Sequence, residues 1–312
     1  MTDRLITYAA SLLIDWHGGR TGRSYALVPV EPASPSSVVV AESPEGRLAV
    51  AVALLWEPES DATADEARQL MEERLDAGSV RGPYLLWAPP RAAVPSGEPE
   101  ASDFVQRVQQ VAAPMLPGGR GEVELPVKLQ LAKLRDEGGY ASVIGGLSRW
   151  WTLITERVNG TFHVNSVTMR RAPESSDSRE RLFDRIGELS RALNEGDAVE
   201  LDAAEAWTLQ RLSTEPLGQR GFAIAQAPPR IDPADGSLMR RLVRRRLKEA
   251  AAALAPVEAD TKGVALVAIY DYAEHENVGS FVKSLDPGLF ANVPLLAAIV
   301  DGEVRPIFQP RS

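Results

Sequence analysis

Residues 37–56, SVVVAESPEGRLAVAVALLW, decide the fold of the N-terminal part of the chain. Two runs rich in β-branched and apolar residues, 37–42 and 47–56, flank the turn-forming segment Ser43-Pro44-Glu45-Gly46. This pattern predicts two strands joined by a tight hairpin. Residues 48–56 are apolar throughout and have the length of a strand, which is too short to cross a membrane.

Further elements extend from this hairpin in both directions. A helix is predicted before it, because Leu5, Tyr8, Leu12 and Trp16 recur at helical spacing and Gly18-Gly19 can end the helix. Periodicity and turn residues then predict a strand over 25–30, a helix over 64–76, a strand over 83–88 and a helix over 101–115.

The middle of the chain changes character. Asn159-Gly160 is a strong hairpin signal, because a type I′ turn needs a positive φ at both central residues, and it predicts strands over 149–158 and 161–169. Residues 123–131 are predicted to join the same sheet. Helices are predicted over 178–194 and 202–212, the second with Asp202 and Glu205 as a capping box.

The C-terminal part alternates helices and strands. The predicted elements are a helix over 237–254, a strand over 264–271, a helix over 277–285, and strands over 293–300 and 303–308. The spacing of strand, helix and strand favours a parallel pair with a right-handed crossover. The turn Asp301-Gly302 then predicts an antiparallel edge strand at the end of the sequence.

Two segments rich in proline and glycine, 114–121 (PMLPGGRG) and 226–233 (QAPPRIDP), are the predicted boundaries. We therefore expect a mixed α/β (α+β) protein with three modules. They are an N-terminal αβββαβ module (1–116), a middle module of a β-hairpin and helices (117–230), and a C-terminal strand–helix–strand unit with a terminal hairpin (231–312). The last unit can complete a sheet that begins earlier in the chain.

Composition narrows the chemistry. The 312 residues include 44% hydrophobic and 25% charged residues, with a formal net charge of −9, as in an ordinary globular protein. The sequence has no cysteine, which excludes disulfides, thiol catalysis and cysteine-bound zinc. The first lysine is Lys128, so the N-terminal third cannot supply a phosphate-binding P-loop lysine. Without a signal peptide or an apolar span, we expect a cytoplasmic protein.

The order helix, three strands, helix and strand over residues 2–88 resembles the core of the restriction-endonuclease-like PD-(D/E)XK superfamily. The resemblance implies an acid on the second core strand and Glu-x-Lys on the third, which together hold a metal ion and a water. Glu42 stands near the first position. The third strand is apolar, and Glu57 lies only at its end with Glu59, not lysine, two residues later. The resemblance therefore implies a degenerate active site.

The acidic residues at these strand ends also have an ordinary interpretation. Glu42, Glu45, Glu57 and Glu59 are interpreted first as solvated surface acids. The alternative is a carboxylate pair that binds Mg²⁺ without the lysine. The sequence predicts no other cofactor.

A second candidate site follows the predicted strand 264–271. The segment Asp271-Tyr272-Ala273-Glu274-His275-Glu276 lies where ligands bind in α/β sheets, just past the carboxyl end of a strand. A polar loop that caps the next helix is the alternative. The histidines, His17, His163 and His275, come from separate segments and have no metal-binding spacing.

The densest basic stretch is 240–248, RRLVRRRLK. At 100° per residue, one helical face carries Arg240, Arg241, Arg244, Arg245 and Lys248, and the opposite face carries Val243, Leu247, Ala250 and Leu254. Guanidinium groups suit phosphate. The alternative is pairing with an acidic surface, for instance Glu72, Glu73 and Asp76 of the helix predicted over 64–76.

Three functions remain open from the sequence. The first is a catalytically degenerate, nuclease-like accessory protein that binds nucleic acid or an acidic protein partner through the arginine-rich helix. The second is a hydrolase that acts on a phosphate ester or another small substrate near Asp271 and His275. The third is a scaffold held to a partner. The absence of a catalytic signature favours a protein that is not an enzyme.

Overall fold

The computed structural model describes residues 4–29, 37–56, 62–227, 236–268 and 280–308. It has the mixed α/β character that the sequence predicts. The helices include α1 (Arg4–Thr21), α2 (Ala62–Asp76), α3 (Glu100–Ala112), α4 (Trp151–Thr155), α5 (Ser176–Ala192) and α6 (Gly236–Leu254). The strands are β1 (Ala26–Val28), β2 (Val38–Ser43), β3 (Gly46–Leu54), β4 (Pro83–Trp87), β5 (Arg120–Arg135), β6 (Gly139–Gly145), β7 (Gly160–Ser166), β8 (Ala198–Arg211), β9 (Gly221–Ala225), β10 (Thr261–Ala268), β11 (Leu295–Val300) and β12 (Glu303–Phe308).

The chain divides into two compact units. Residues 1–121 and 208–312 form the first unit, and residues 122–207 form the second. The first unit therefore contains elements from both ends of the sequence. Its sheet has the order β1-β2-β3-β10-β11-β12, in which strands from the C-terminal part continue the N-terminal hairpin.

Pairing in this first sheet follows the predicted turns and crossover. β2 and β3 are antiparallel and meet at the turn between Ser43 and Gly46. β3, β10 and β11 are parallel neighbours, and β12 returns antiparallel to β11 after the turn Asp301-Gly302, where both residues have positive φ. The parallel pair and the antiparallel edge strand are both confirmed.

A helix covers each face of the first sheet. The side chains of β3 alternate, so that Leu48, Val50 and Val52 pack with α1 whereas Ala49 and Ala51 pack with α6. β3 is buried on both sides, which explains its apolar sequence. α6 lies on the β3–β10 part of the sheet, and this packing fixes which side of the helix faces solvent.

The second sheet has the order β6-β7-β5-β8-β4-β9. In the first unit, β4 is antiparallel to residues 208–211 of β8 and parallel to β9. In the second unit, β7 is antiparallel to β5 and parallel to β6. β9, which the sequence analysis did not predict, is a short edge strand of the first unit and is almost fully buried.

The predicted hairpin at Asn159-Gly160 is wrong. Residues 148–155 are helical, and β7 pairs with the unpredicted strand β6 instead. Parallel neighbours cannot be joined by a tight turn, so the helical segment serves as the crossover between them. The positive φ expected at Gly160 is nevertheless present, because this residue has a φ of 114° at the start of β7.

The helix predicted over 202–212 is also wrong, since these residues belong mostly to β8. Five consecutive residues of β8 are buried without alternation: Glu205, Ala206, Trp207, Thr208 and Leu209. Such a run is expected for a strand whose two faces are both covered. Packing on both faces thus outweighs the helix propensity of the alanine and glutamate residues. Glu205 is not a helix cap, because its carboxylate accepts a hydrogen bond from the backbone N–H of Arg170 at 2.9 Å.

The other elements agree with the sequence apart from their ends. α1 continues through Gly18 and Gly19 to Thr21 and ends at Gly22, which has a φ of 68°. The N–H of Arg23 donates to the carbonyl of Gly18 at 3.0 Å, which completes a Schellman-type C-cap. Of the helix predicted over 277–285, residues 280–283 are helical and 277–279 lie outside the described residues.

Candidate functional site

The candidate site is the solvent side of α6, which is a strongly amphipathic helix. Its apolar side is buried against the first sheet, with Val243, Leu247 and Leu254 at most 1% exposed. The predicted apolar face is therefore confirmed. Burial of each such side chain stabilises the fold by about 1.5–3 kcal/mol, so the orientation of α6 is firmly determined.

The opposite side of α6 carries the predicted basic residues, and all of them are exposed. We call this set the cationic face: Arg240, Arg241, Arg244, Arg245 and Lys248. The first turn of α6 contains no acidic residue. The face thus concentrates positive charge on a chain whose overall charge is −9.

The contacts of the basic residues divide them into two groups. The guanidinium of Arg240 lies 5.2 Å from the ring centroid of Phe281, and Nε of Arg245 lies 3.9 Å from a carboxylate oxygen of Glu249. In contrast, the side chains of Arg241, Arg244 and Lys248 form no hydrogen bond or ion pair with any residue that the structure describes.

Arg246 lies off the cationic face and is structural. Its Nη2 donates to the carbonyl of Trp56 at 3.0 Å, just past β3, and its Nη1 donates to Glu249 at 2.8 Å. These bonds join α6 to the end of β3. Sequence analysis excluded Arg246 from the face by helical projection but gave no sign of this contact, since it depends on the tertiary position of Trp56.

Pairing of the cationic face with the acidic residues of α2 is not observed. Asp76 binds Arg4 at 2.6 Å and the N–H of Phe222 at 2.7 Å. Glu72 binds Arg68 at 2.9 Å and the N–H of Ile224 at 2.8 Å. Two of the three acids proposed as partners therefore hold the β9 edge instead, and the third, Glu73, is exposed.

The acidic candidates do not form a metal site among the described residues. Glu42 is exposed at the end of β2, and its carboxylate lies 3.4 Å from Nε of Arg47 across the hairpin. Glu57, Asp271 and His275 lie outside the described residues. Within the described ranges, no three histidine, aspartate or glutamate side chains are grouped in a way that could hold a metal ion.

The two described histidines are structurally distinct. His17 is buried in α1, and its ring centroid lies 6.1 Å from that of Tyr25. Burial, together with the positive charge of Arg23, lowers the pKa of His17 below its usual value of 6.5. His163 is half-buried in β7 of the second unit. Neither lies in an acidic cluster in the described part of the chain.

The second unit exposes two aromatic rings that sequence analysis did not predict as a pair. Tyr140 and Trp151 are 50% and 48% exposed, and their ring centroids are 6.4 Å apart. The adjacent Trp150 instead lies near two guanidinium groups, those of Arg149 at 4.6 Å and Arg179 at 4.4 Å from its ring centroid. Tyr140 lies on β6, the strand that the sequence analysis missed, so no signal pointed to this pair.

None of the helices in the described ranges has both the length and the apolar character that a membrane crossing requires. Comparison with protein-family models, with curated proteins and with solved structures gives no match to this chain.

Proposed function

We propose that this protein binds nucleic acid through the cationic face of α6 and acts as a non-catalytic accessory protein. One observation carries the proposal: Arg241, Arg244 and Lys248 are exposed and have no partner among the described residues. Guanidinium groups donate in a planar fork that matches phosphate oxygens, and four of the five cations of the face are arginines.

Keeping these charges together costs stability. Arg240 with Arg244, Arg241 with Arg245, and Arg244 with Lys248 are like-charge pairs four residues apart on one helix. Each such pair destabilises a helix by about 0.2–0.5 kcal/mol, so the three together cost about 1 kcal/mol. A polyanion bound along the face removes this repulsion, which supports binding as the role of the face.

A protein partner fits the face less well than nucleic acid does. Protein interfaces depend on a desolvated centre rich in aromatic and other large apolar side chains. Among the α6 side chains that the structure describes, the exposed ones are cationic residues, Ser237, Glu249 and Ala252. Because no large apolar side chain is exposed on α6 among those described, and Phe281 beside Arg240 is only partly exposed, electrostatic binding of the kind that a phosphate backbone offers fits this face better.

We also propose that the first unit is a degenerate, nuclease-like fold. Support comes from its sheet, in which α1 and α6 cover opposite faces and β10 runs parallel to β3. The resemblance was based on residues 2–88, but β4 lies in the other sheet, and the strand beside β3 in the first sheet is β10. The apolar β3 has no acid at the positions where a metal would be held.

The experiment is a fluorescence anisotropy titration of the full chain with labelled DNA. The test variant is the triple substitution Arg241→Gln, Arg244→Gln and Lys248→Gln. The matched control, Arg107→Gln, Arg185→Gln and Arg220→Gln, removes the same charge from two exposed arginines and one half-buried arginine that already have acidic partners. Circular dichroism checks that both variants remain folded.

We expect the test variant to lose about tenfold or more in affinity while the control changes by less than about threefold. Equal losses in both variants contradict a localised site. A competition with poly-glutamate separates the two partner classes. If poly-glutamate displaces the protein as well as DNA does at equal charge concentration, the face serves an acidic protein chain instead.

A further inference from the structure

The spacing of the cations on α6 restricts the kind of nucleic acid that it can bind. An α-helix rises about 1.5 Å per residue, so the nine residues from Arg240 to Lys248 span about 12 Å. The cationic face forms three levels along this length: Arg240 with Arg241, Arg244 with Arg245, and Lys248. Successive levels are about 6 Å apart.

This charge density is too high for a single strand. One strand carries a phosphate about every 3.4 Å of axis, which gives three or four phosphates over 12 Å. A duplex carries one about every 1.7 Å, or about seven over the same length. Arg240 contacts Phe281 and Arg245 lies 3.9 Å from Glu249, but both keep their charge. Counted with Arg241, Arg244 and Lys248, they give five cations, which exceed what one strand offers and fall within what a duplex offers. We infer that the ligand of the cationic face is double-stranded nucleic acid.

The surroundings of α6 also oppose single-stranded binding. Proteins that hold single strands stack the bases on exposed aromatic side chains. In the first unit, which carries α6, the exposed large apolar side chains among the described residues are Leu70, Leu116 and Leu217. None is aromatic, and the ring beside the cationic face, that of Phe281, is partly buried and already lies against the guanidinium of Arg240.

The composition of α6 also limits which bases it can read. The sequence of α6 contains no asparagine, glutamine or threonine. Asparagine and glutamine are the side chains that recognise adenine by paired hydrogen bonds, whereas contacts to phosphate carry no sequence information. The arginines of the cationic face can pair with guanine as well as with phosphate. In the proposed complex they contact phosphate, which DNA and RNA duplexes share.

This inference rests on the proposed function, and the experiment is designed so that the two can fail separately. The full chain is titrated with DNA duplexes of about 25 base pairs in two unrelated sequences, an RNA duplex, and the separated DNA strands, at salt concentrations between about 50 and 200 mM. The variant Arg244→Gln is titrated in parallel, and Arg107→Gln is its control.

We expect both DNA duplexes to bind with affinities within about twofold of each other and at least about tenfold more tightly than the single strands. The slope of log affinity against log salt should lie between about −3 and −4.5 on duplex DNA, for three to five phosphates neutralised. Arg244→Gln should reduce this slope by about one unit, and Arg107→Gln should leave it unchanged.

The other possible results of these titrations show which part of the proposal fails. Single strands that bind as tightly as duplexes overturn the duplex inference and leave the proposed function standing. A strong preference for one of the two duplex sequences overturns the assignment of these contacts to phosphate. A preference of more than about tenfold for DNA over RNA duplex, or the reverse, assigns the face to that duplex form. If no nucleic acid binds, the proposed function itself fails.

Discussion

The carboxylate of Asp76 accepts a hydrogen bond of 2.7 Å from the backbone N–H of Phe222, a residue 146 positions later in the chain. The same carboxylate forms an ion pair of 2.6 Å with Arg4. Asp76 therefore ties α2 to both α1 and the edge strand β9. An acid held in this way does not neutralise the cationic face, so Asp76, one of the three acids proposed as partners for the arginines of α6, is engaged elsewhere.

The two kinds of arginine on α6 should respond oppositely to substitution. Arg244→Gln removes the repulsion with Arg240 and Lys248, so we expect a gain of about 0.5–1 kcal/mol in the free energy of unfolding. Arg246→Gln breaks the bond to the carbonyl of Trp56 and the pair with Glu249, so we expect a loss of about 1–2 kcal/mol.

Urea denaturation of both variants measures these effects. A destabilised Arg244→Gln protein indicates that Arg244 has an internal partner. In that case the cationic face is part of the fold and is not kept for a ligand.

Gly160 should tolerate no larger residue, although the hairpin predicted around it is wrong. Its φ is 114°, and a Cβ there would lie 2.7 Å from the carbonyl oxygen of Arg135. We expect Gly160→Val to cost about 1–3 kcal/mol through strain. Gly19→Ala is the control, because Gly19 lies in α1 with no atom within 4 Å of the Cβ position.

Alanine in a helix is more stable than glycine, so Gly19→Ala should gain about 0.5–1 kcal/mol. Thermal unfolding of the two variants should thus shift in opposite directions. Equal melting temperatures for wild type and Gly160→Val are incompatible with the described start of β7.

The stability of the first unit should fall as the solution is acidified below pH 6.5. Burial and the charge of Arg23 lower the pKa of His17 in the folded state below its usual 6.5, so the unfolded chain binds this proton more readily. The contribution of the neutral imidazole is complete above pH 6.5 and is lost as the pH falls through the lower pKa of the folded state.

His17→Gln removes this titration. We expect its stability to change less than that of the wild type between about pH 7 and pH 5. Parallel pH profiles of the two proteins show that His17 does not control the effect.

The protein should not cleave nucleic acid with divalent metal ions. β3 is apolar, Glu42 is exposed and paired with Arg47, and the chain has no lysine before Lys128. We therefore expect no cleavage of DNA or RNA with Mg²⁺ or Mn²⁺ during prolonged incubation. Metal-dependent cleavage that disappears in the variant Glu42→Ala contradicts a degenerate site.

The accuracy of the sequence analysis depended on how local each signal is. α6 was correctly predicted with its buried side because a 3.6-residue pattern is contained within the helix itself. Residues 202–212 were predicted as a helix because Asp202 and Glu205 have the spacing of a capping box, and the apolar run after them lacks the alternation of a strand that is buried on one face. The true partners of β8, which are β5 and β4, lie far away in the sequence.

In the candidate site too, features set by local sequence were predicted and features set by distant contacts were not. Exposure of the cationic face follows from the pattern of residues 240–248 alone. The role of Arg246 depends on the carbonyl of Trp56, 190 positions earlier, and no local pattern records such a contact. Likewise, Asp76 and Glu72 accept hydrogen bonds from backbone N–H groups of β9, a short strand that was not predicted from the sequence.

Arginine-specific modification with phenylglyoxal, followed by mass spectrometry, tests the central claim most directly. The full chain is modified with and without saturating duplex DNA, and the rate is compared at each arginine. We predict that DNA slows modification of Arg241 and Arg244 and leaves that of Arg107 and Arg185 unchanged. Equal rates at Arg241 and Arg244 in the presence and absence of bound DNA would contradict binding through the cationic face of α6.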